Sequence, residues 1–364
     1  MRFYCATRGA RCTGSPNRDF RAQRFRSALF IGAAVTSLLA AANGAGAVNF
    51  TSDFDNSGPY NADVTSNTAT INNNDPGVWT GNVETNVGVI NNNTGATWIG
   101  TVESNSLNIS NNDSAAWTGD IAGNTGNIGN AGGTWTGDVL ANDGTVINDN
   151  RGDEIGFGYW NGDVVTNAAT VFNGGGGVWT GDVLGNSGMI KSDFLATWTG
   201  DVAGNTGSIE SIGTWTGTVL DNQHYRYNEG TWTGDVAANE GRITNDKLPD
   251  GSVIGHWNGD VLTNTGTIRN RGGGIWTGDV VSNSGIIINY ADGTWVGNVE
   301  SNAGTIDTTG IWNGNFTSAG TVDAENQING AFANSGLLHV TGALSGLRTL
   351  DNTGTISMRG GGAT

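Results

Sequence analysis

The sequence is poor in basic residues, proline, histidine and cysteine. Its 364 residues include 16 Lys and Arg against 33 Asp and Glu, with 3 His, 4 Pro and 2 Cys. Both cysteines, Cys5 and Cys12, precede residue 48, so disulfide bonds cannot stabilise residues 48–364. Those residues keep 9 of the basic and 32 of the acidic side chains, a net charge of −23. An acidic chain excludes nucleic-acid binding, which needs a basic surface.

Common catalytic motifs are also missing. His224, His256 and His339 do not form a His-Glu-x-x-His spacing, and there is no Gly-x-Ser-x-Gly turn. We therefore expect a protein without cofactor or enzymatic activity. The alternative is a polysaccharide lyase or glycosidase, which would need a pair of acids that breaks the repeat described below. Residues 221–229, which include His224, Tyr225, Arg226 and Tyr227, are the most irregular stretch and the best place for such a site.

Residues 1–47 differ in composition from the rest. Seven arginines precede an apolar run at residues 28–42, and Ala45-Gly46-Ala47 follows. This order is typical of a secretory signal peptide, here with an extended basic n-region. The run is too short and too rich in alanine to favour a transmembrane helix. We expect cleavage between Ala47 and Val48, and therefore an exported protein.

Thirteen tryptophans each begin a copy of the phrase Trp-Thr-Gly-Asp-Val or a near variant. Successive tryptophans are 17, 18, 19 or 25 residues apart, and Tyr60 begins a similar unit upstream. A unit this short cannot bury a core alone, so the units must stack on one another. The tryptophans stand at positions 79, 98, 117, 135, 160, 179, 198, 215, 232, 257, 276, 295 and 312.

Counted from its tryptophan, each unit has Gly at +2, usually Asp at +3 and an aliphatic residue at +4. Alternation predicts one strand with Trp, Gly and the aliphatic side chain facing inward, the glycine leaving room beside the indole. Asn at +7 and a small residue at +9 predict a corner before a second strand with Ile or Val at +11. Two or three strands per unit predict an all-β fold: a single right-handed parallel β-helix of about 15 coils, with 17–19 residues per coil.

The two 25-residue spacings divide residues 48–364 into five-coil blocks. The blocks cover about residues 60–159, 160–256 and 257–364. Each long spacing inserts residues after an asparagine at +13, namely Asn148 and Asn245. Both insertions should leave the same side of the solenoid, because they follow the same position of the repeat.

Two rows of repeated side chains are predicted to be structural. The amides at +7 can hydrogen-bond from coil to coil, as in stacked asparagine ladders. The tryptophans share their face with aliphatic residues and are expected to form the core; the alternative is an exposed stripe that stacks on sugars. Representative members are Asn186, Asn205, Asn264 and Asn283 in the first row and Trp179, Trp198 and Trp276 in the second.

The aspartates at +3 are predicted to form a solvated acidic stripe that opposes aggregation. Calcium bridging neighbouring carboxylates is the alternative, because calcium accepts oxygen ligands in flexible geometry. The calcium candidates are Asp163, Asp182, Asp201, Asp260 and Asp279. Arg151-Gly152-Asp153 in the first insertion resembles an integrin-binding tripeptide, but a polar loop is expected there in any case.

The signal segment, the cysteine-free body rich in glycine and asparagine, and phrases such as Asn-Ser-Gly-Ile-Ile at 283–287 resemble the passenger of a Gram-negative autotransporter. Filamentous-haemagglutinin-type adhesins are similar. The resemblance implies export across the inner membrane, passage through an outer-membrane translocator barrel, and a β-helix that is displayed on the cell surface or secreted.

The resemblance also implies an adhesive or self-associating role, with glycans or proteins of host or bacterial surfaces as partners. Members of the family end in a translocator barrel, whereas residues 360–364 read Gly-Gly-Gly-Ala-Thr. We expect the barrel to lie in a longer reading frame or to be a separate protein.

Overall fold

The computed structural model describes residues 47–150 and 157–358. These residues form an all-β parallel solenoid of about 16 turns, which confirms the predicted fold class. Within the described ranges no helix is long and apolar enough to cross a membrane. Residues 1–46 of the predicted signal segment and the Arg151-Gly152-Asp153 tripeptide lie outside the described residues.

A full coil contains three short strands, and the equivalent strands of successive coils stack into three faces, named here by their main inward residue. The valine face consists of Val48–Phe50, Val64–Asn67, Val83–Asn86, Val102–Asn105, Ile121–Asn124, Val139–Asn142, Val164–Asn167, Val183–Asn186, Val202–Asn205, Val219–Asn222, Val236–Asn239, Val261–Asn264, Val280–Asn283, Val299–Asn302, Phe316–Ser318, Ala331–Asn334 and Thr349–Asn352.

The isoleucine face follows in each coil. It consists of Phe54–Asn56, Thr70–Asn73, Val89–Asn92, Asn108–Asn112, Asn127–Ala131, Thr145–Asp149, Thr170–Asn173, Met189–Ser192, Ser208–Ser211, Tyr225–Asn228, Arg242–Asn245, Thr267–Asn270, Ile286–Asn289, Thr305–Thr308, Thr321–Ile328, Leu337–Ser345 and Thr355–Met358.

The tryptophan face completes the coil. It consists of Pro59–Asn61, Val78–Thr80, Thr97–Ile99, Ala116–Thr118, Thr134–Thr136, Tyr159–Asn161, Val178–Thr180, Thr197–Thr199, Thr214–Thr216, Thr231–Thr233, His256–Asn258, Ile275–Thr277, Thr294–Val296 and Ile311–Asn313. The long strands Thr321–Ile328 and Leu337–Ser345 continue from the isoleucine face into this position, so these two faces form one hydrogen-bonded sheet.

Each strand pairs in parallel with its counterpart one coil away, and equivalent residues pair with each other. Trp179 pairs with Trp198 on the tryptophan face, and Asn186 pairs with Asn205 on the valine face. A side chain that faces inward therefore lies directly beneath the same position of the next coil, which is how a repeat in sequence becomes a row in space.

The chain turns between the tryptophan and valine faces, so the predicted continuous strand from +0 to +4 is wrong. Thr197–Thr199 ends before Gly200, and the next strand begins at Val202. The glycine at this corner is required by the approach of successive coils: a Cβ on Gly100 would overlap the carbonyl oxygen of Gly81. The glycine at +2 is therefore required by the close packing of successive backbones, and not, as predicted, by the need for space beside the indole.

The thirteen tryptophans form one continuous stack in the core. Trp179, Trp198 and Trp276 are each 0% exposed. Neighbouring ring centroids are 4.4–4.9 Å apart, except for 5.7 Å between Trp232 and Trp257. The inward rows of the valine and isoleucine faces pack against this stack. Its buried apolar area is the main source of stability in a fold that has no disulfides in the described residues.

Candidate functional site

The asparagines at +7 form a buried hydrogen-bonded ladder at the end of the valine strands. The Nδ2 of Asn186 donates to Oδ1 of Asn205 at 2.7 Å, and Asn264 donates to Asn283 at 2.6 Å. These side chains are 0–3% exposed. Each amide satisfies its neighbours inside the solenoid, so the ladder holds successive coils in register.

A second buried asparagine ladder, which the sequence interpretation did not recognise, closes the isoleucine strands. Asn92 donates to Asn111 at 2.8 Å, and its Nδ2 also donates to the carbonyl oxygen of Ala116 at 2.8 Å. Asn148 and Asn245, which precede the two insertions, belong to this ladder. The recurrence of Asn at +13 indicates this second ladder, because residues at the same offset in the repeat occupy the same place in successive coils.

The aspartates at +3 accept backbone hydrogen bonds at the corner after each tryptophan strand. Oδ1 of Asp163 accepts the N–H of Asp182 at 2.7 Å, and Oδ1 of Asp182 accepts the N–H of Asp201 at 2.7 Å. Asp260 and Asp279 repeat this arrangement. Burial, partly offset by this hydrogen bond, raises the pKa of Asp163, and the neighbouring carboxylates raise it further.

These bonds give the acidic row a structural task at the corner, beyond its effect on solubility. In the described residues, no three His, Cys, Asp or Glu side chains are grouped as metal ligands. Calcium binding by Asp163, Asp182, Asp201, Asp260 or Asp279 stays a prediction.

Arg226 is a charged residue in the otherwise apolar inward row of the isoleucine face. It pairs with Ile209 and Ile243 on the isoleucine face and is 0% exposed. Its guanidinium carbon lies 3.0 Å from the centroid of the Trp232 ring and 4.3 Å from that of Trp257, beside the widest gap in the stack. Its three guanidinium nitrogens are buried without a hydrogen-bond partner among the described residues, and burial lowers the pKa of Arg226.

The outer side of the same strand carries a polar cluster. The rings of Tyr225 and Tyr227 are 5.8 Å apart and nearly parallel. The hydroxyl of Tyr227 donates to Oδ2 of Asp246 at 3.0 Å, and Nε of Arg271 lies 2.7 Å from the same oxygen. Asp246 is the first residue of the second insertion, so the insertion supplies the acid that closes the cluster.

Glu229 adds a second carboxyl group to this cluster. It is 6% exposed, and burial raises its pKa, opposed by a hydrogen bond with Tyr227 and reinforced by the charges of Asp246 and Glu210. A buried acid held near a tyrosine and a second carboxylate is chemically suited to donate a proton. The candidate site therefore consists of Tyr227, Glu229, Asp246 and Arg271. Two of these residues belong to the irregular stretch 221–229, where the sequence predicted such a site.

The outer surface of the valine face carries an apolar ridge. Nine consecutive coils present an aliphatic side chain at the second strand position, over about 38 Å at about 4.8 Å per coil. The ridge consists of Ala122, Leu140, Val165, Leu184, Ala203, Leu220, Ala237, Leu262 and Val281. Beside it, Gly185 and Gly204 line a shallow cavity of about 290 Å³ together with Thr166 and Ser187.

No known protein family, no curated protein and no solved structure is significantly similar to this sequence.

Proposed function

We propose that the protein is an exported structural rod of the autotransporter-passenger kind that acts at the cell surface by associating with further copies of itself. The apolar ridge on the outer valine face carries the proposal. Leu220 and Leu262 are exposed and the other seven side chains of the ridge are partly exposed. Contiguous apolar surface of this extent marks interaction sites in soluble proteins. The ridge has the charged residues Glu84, Glu103 and Glu300 beyond its ends, so contact is confined to the coils between them.

The shape of this face supports a second copy as the partner. A row of Leu, Val and Ala lies beside a row of mostly smaller residues that includes Gly185 and Gly204, with Asp221 as its one charged member next to the ridge. When two such faces pack in opposite directions, the ridge of each can enter the furrow of the other, which is the geometry of an isologous dimer. The core residues point inward and make no contribution to this surface.

Sedimentation velocity on the purified protein tests the self-association. Leu220→Glu places a carboxylate in the middle of the ridge, and we expect it to convert an associated species to monomer. Ser208→Glu, on the outer isoleucine face, is the matched control with the same added charge. A monomeric native protein, or equal dissociation by both variants, would rule out the ridge as the interface.

Export is tested separately. Alkaline phosphatase fused after residue 60 should give activity only after translocation, and the N-terminal sequence of the released product should begin at Val48. An inactive, uncleaved fusion would contradict export by this segment. An outer-membrane translocator barrel is the expected partner in that route.

A second candidate function is polysaccharide cleavage at the Tyr227, Glu229 and Asp246 cluster. Its support is the raised pKa of the buried Glu229 beside a second carboxylate and two outward tyrosines. Glycosidases use such pairs, with one acid protonated and the other ionised. A reducing-sugar assay over a panel of polysaccharides decides it: activity lost in Glu229→Gln but kept in Glu210→Gln would establish the enzyme, and no activity in the native protein would eliminate it.

A further inference from the structure

The outer side of the tryptophan face is a two-column array in which threonine predominates and Asp, Glu, Lys and Arg are absent from the described strands. In each strand the residues before and after the buried tryptophan face outward, as the alternating burial pattern of Thr197–Thr199 illustrates. Fourteen of these 26 positions are threonine. They are Thr80, Thr97, Thr118, Thr134, Thr136, Thr180, Thr197, Thr199, Thr214, Thr216, Thr231, Thr233, Thr277 and Thr294.

Three consecutive coils form the most regular part of the array. Thr197, Thr214 and Thr231 pair with one another along one column, and Thr199, Thr216 and Thr233 along the other. Thr180 extends the second column by one coil. This group, the threonine lattice, lies on the coils between the two insertions.

The spacing of the lattice is set by the core beneath it. The indoles of Trp179, Trp198, Trp215 and Trp232 stack with centroids 4.6–4.9 Å apart and planes within 14° of parallel. Threonines two residues apart on one extended strand are separated by about 6.7 Å. Both repeat distances are close to those between water molecules in hexagonal ice.

The chemistry of this face also differs from that of the other two. None of its 26 outward positions, all of which are described, is Asp, Glu, Lys or Arg. The outer isoleucine face carries Lys191, Glu210 and Arg269, among others. Residues 48–364 carry a net charge of −23, so a face without Asp, Glu, Lys or Arg is matched to an uncharged partner, because ionic groups would have to lose their hydration there.

We propose that the threonine lattice binds ice. Each threonine offers a hydroxyl that can donate and accept hydrogen bonds with lattice water, and a methyl group around which water is already ordered. The stacked tryptophans keep these groups coplanar, so the ordered water on the face adds to a growing ice plane. This site is independent of the apolar ridge, which lies on a different face.

A crystalline polysaccharide is the other flat, uncharged and periodic partner. Proteins hold sugar planes chiefly through exposed aromatic rings. Here the thirteen tryptophans are buried, and Tyr159 is the one aromatic residue besides His256 among the outward positions of their described strands. The hydroxyl and methyl array therefore favours ice over cellulose or chitin.

Ice-affinity partitioning of the fluorescently labelled full chain tests the proposal, together with measurement of ice recrystallisation. We expect the native protein to enter slowly growing ice and to stop recrystallisation. Thr216→Lys, at the centre of the lattice, should be excluded from the ice and lose the inhibition. Thr267→Lys, outward on the isoleucine face, is the matched control and should behave as the native protein does. Circular dichroism melts of both variants establish that each is folded.

Exclusion of the native protein from ice would overturn the proposal. Equal behaviour of the two lysine variants would overturn the assignment to this face. Retention of the native protein on microcrystalline cellulose or chitin, lost in Thr216→Lys and without any effect on ice, would identify a polysaccharide instead. Thr216→Val keeps the methyl group of Thr216 and replaces its hydroxyl with a second methyl, so it should retain part of the activity in ice.

Discussion

The coil that begins at Trp198 and the coil that begins at Trp215 have the same length and the same three faces, but their cores differ. The first places Ile209 against the tryptophan stack, and the second places Arg226 there. The first ladder holds both coils, through Asn205 in one and Asn222 in the other. The second ladder continues through Asn228 but is interrupted at Ser211, whose buried hydroxyl has no hydrogen-bond partner among the described residues.

The asparagine ladders set the register of the irregular coil. A shift of one residue would turn Arg226 outward and bury a tyrosine, but it would also expose Asn222 or Asn228 and break the amide chain. The coil therefore accepts a buried cation and keeps the bonds that Asn222 and Asn228 donate to the next coil. In this solenoid the corner residues determine which side chains enter the core.

The largest effect is expected from making the irregular coil regular. An uncompensated buried charge destabilises the folded state by about 3–5 kcal/mol. A desolvated cation–π contact stabilises it by only about 2 kcal/mol, so the net effect of Arg226 is destabilising. Arg226→Ile should also restore apolar contacts with Trp232 and Trp257, and we expect it to raise the stability of the folded state by about 3–5 kcal/mol.

Thermal denaturation measures this change as a higher Tm. Arg269→Ile, on the outer side of the isoleucine face, is the control and should leave the Tm nearly unchanged. A lower Tm for Arg226→Ile would mean that the guanidinium has a stabilising partner in the folded protein.

Breaking the ladder in a regular coil should have the next largest effect. Asn186→Leu removes the donor to Asn205, leaving Oδ1 of Asn205 buried and unpaired, and it removes one of the three acceptors of Nδ2 of Asn167. The unpaired oxygen costs about 1–3 kcal/mol and the lost hydrogen bond of Asn167 about 1 kcal/mol, so the loss is about 2–4 kcal/mol. The Tm should fall clearly, whereas Asn127→Leu at the exposed surface should change it little. Equal melting of native protein and Asn186→Leu would refute the register role of the ladder.

A smaller effect is expected from the acid of the irregular coil. The folded-state pKa of Glu229 lies above its usual value because of burial, so protonation favours folding and that contribution is lost as the pH rises through the folded pKa. Glu229→Gln should therefore be relatively more stable at neutral pH, and its Tm should fall less than that of the native protein between about pH 4 and pH 7. Glu210→Gln is the control; identical pH profiles for native protein and Glu229→Gln would contradict the assignment.

The smallest effect is expected from calcium. The carboxylates of Asp163 and Asp182 already accept backbone N–H groups, so one oxygen of each is engaged in the regular coils. Millimolar calcium or chelator should leave the Tm unchanged. An increase with calcium that disappears in Asp182→Asn would instead establish the acidic row as a metal site.

The sequence was informative where a residue type recurs at one offset. The stacked architecture and the approximate coil number follow directly from the tryptophan spacing. The sequence did not predict the corner at Gly200. Trp198 and Val202 both point into the core but lie on two different faces of the solenoid. Their spacing is therefore the same as that of inward residues on one continuous strand. The contact between Tyr227 and Asp246 could not be read from the repeat, since it joins an irregular strand to an insertion.

By itself, the sequence determined that short units must stack and which rows of side chains run along the stack, because equal offsets become equal places once coils pair in register. Only the tertiary structure decided that each coil has three faces, that the aspartates cap backbone amides, and that Arg226 lies against the tryptophans. Those outcomes depend on where the chain turns and on what the next coil places within a few ångströms. The aspartate bonds join residues 17–25 apart, and Arg226 contacts Trp257 of the second coil along, so no local pattern encodes these contacts.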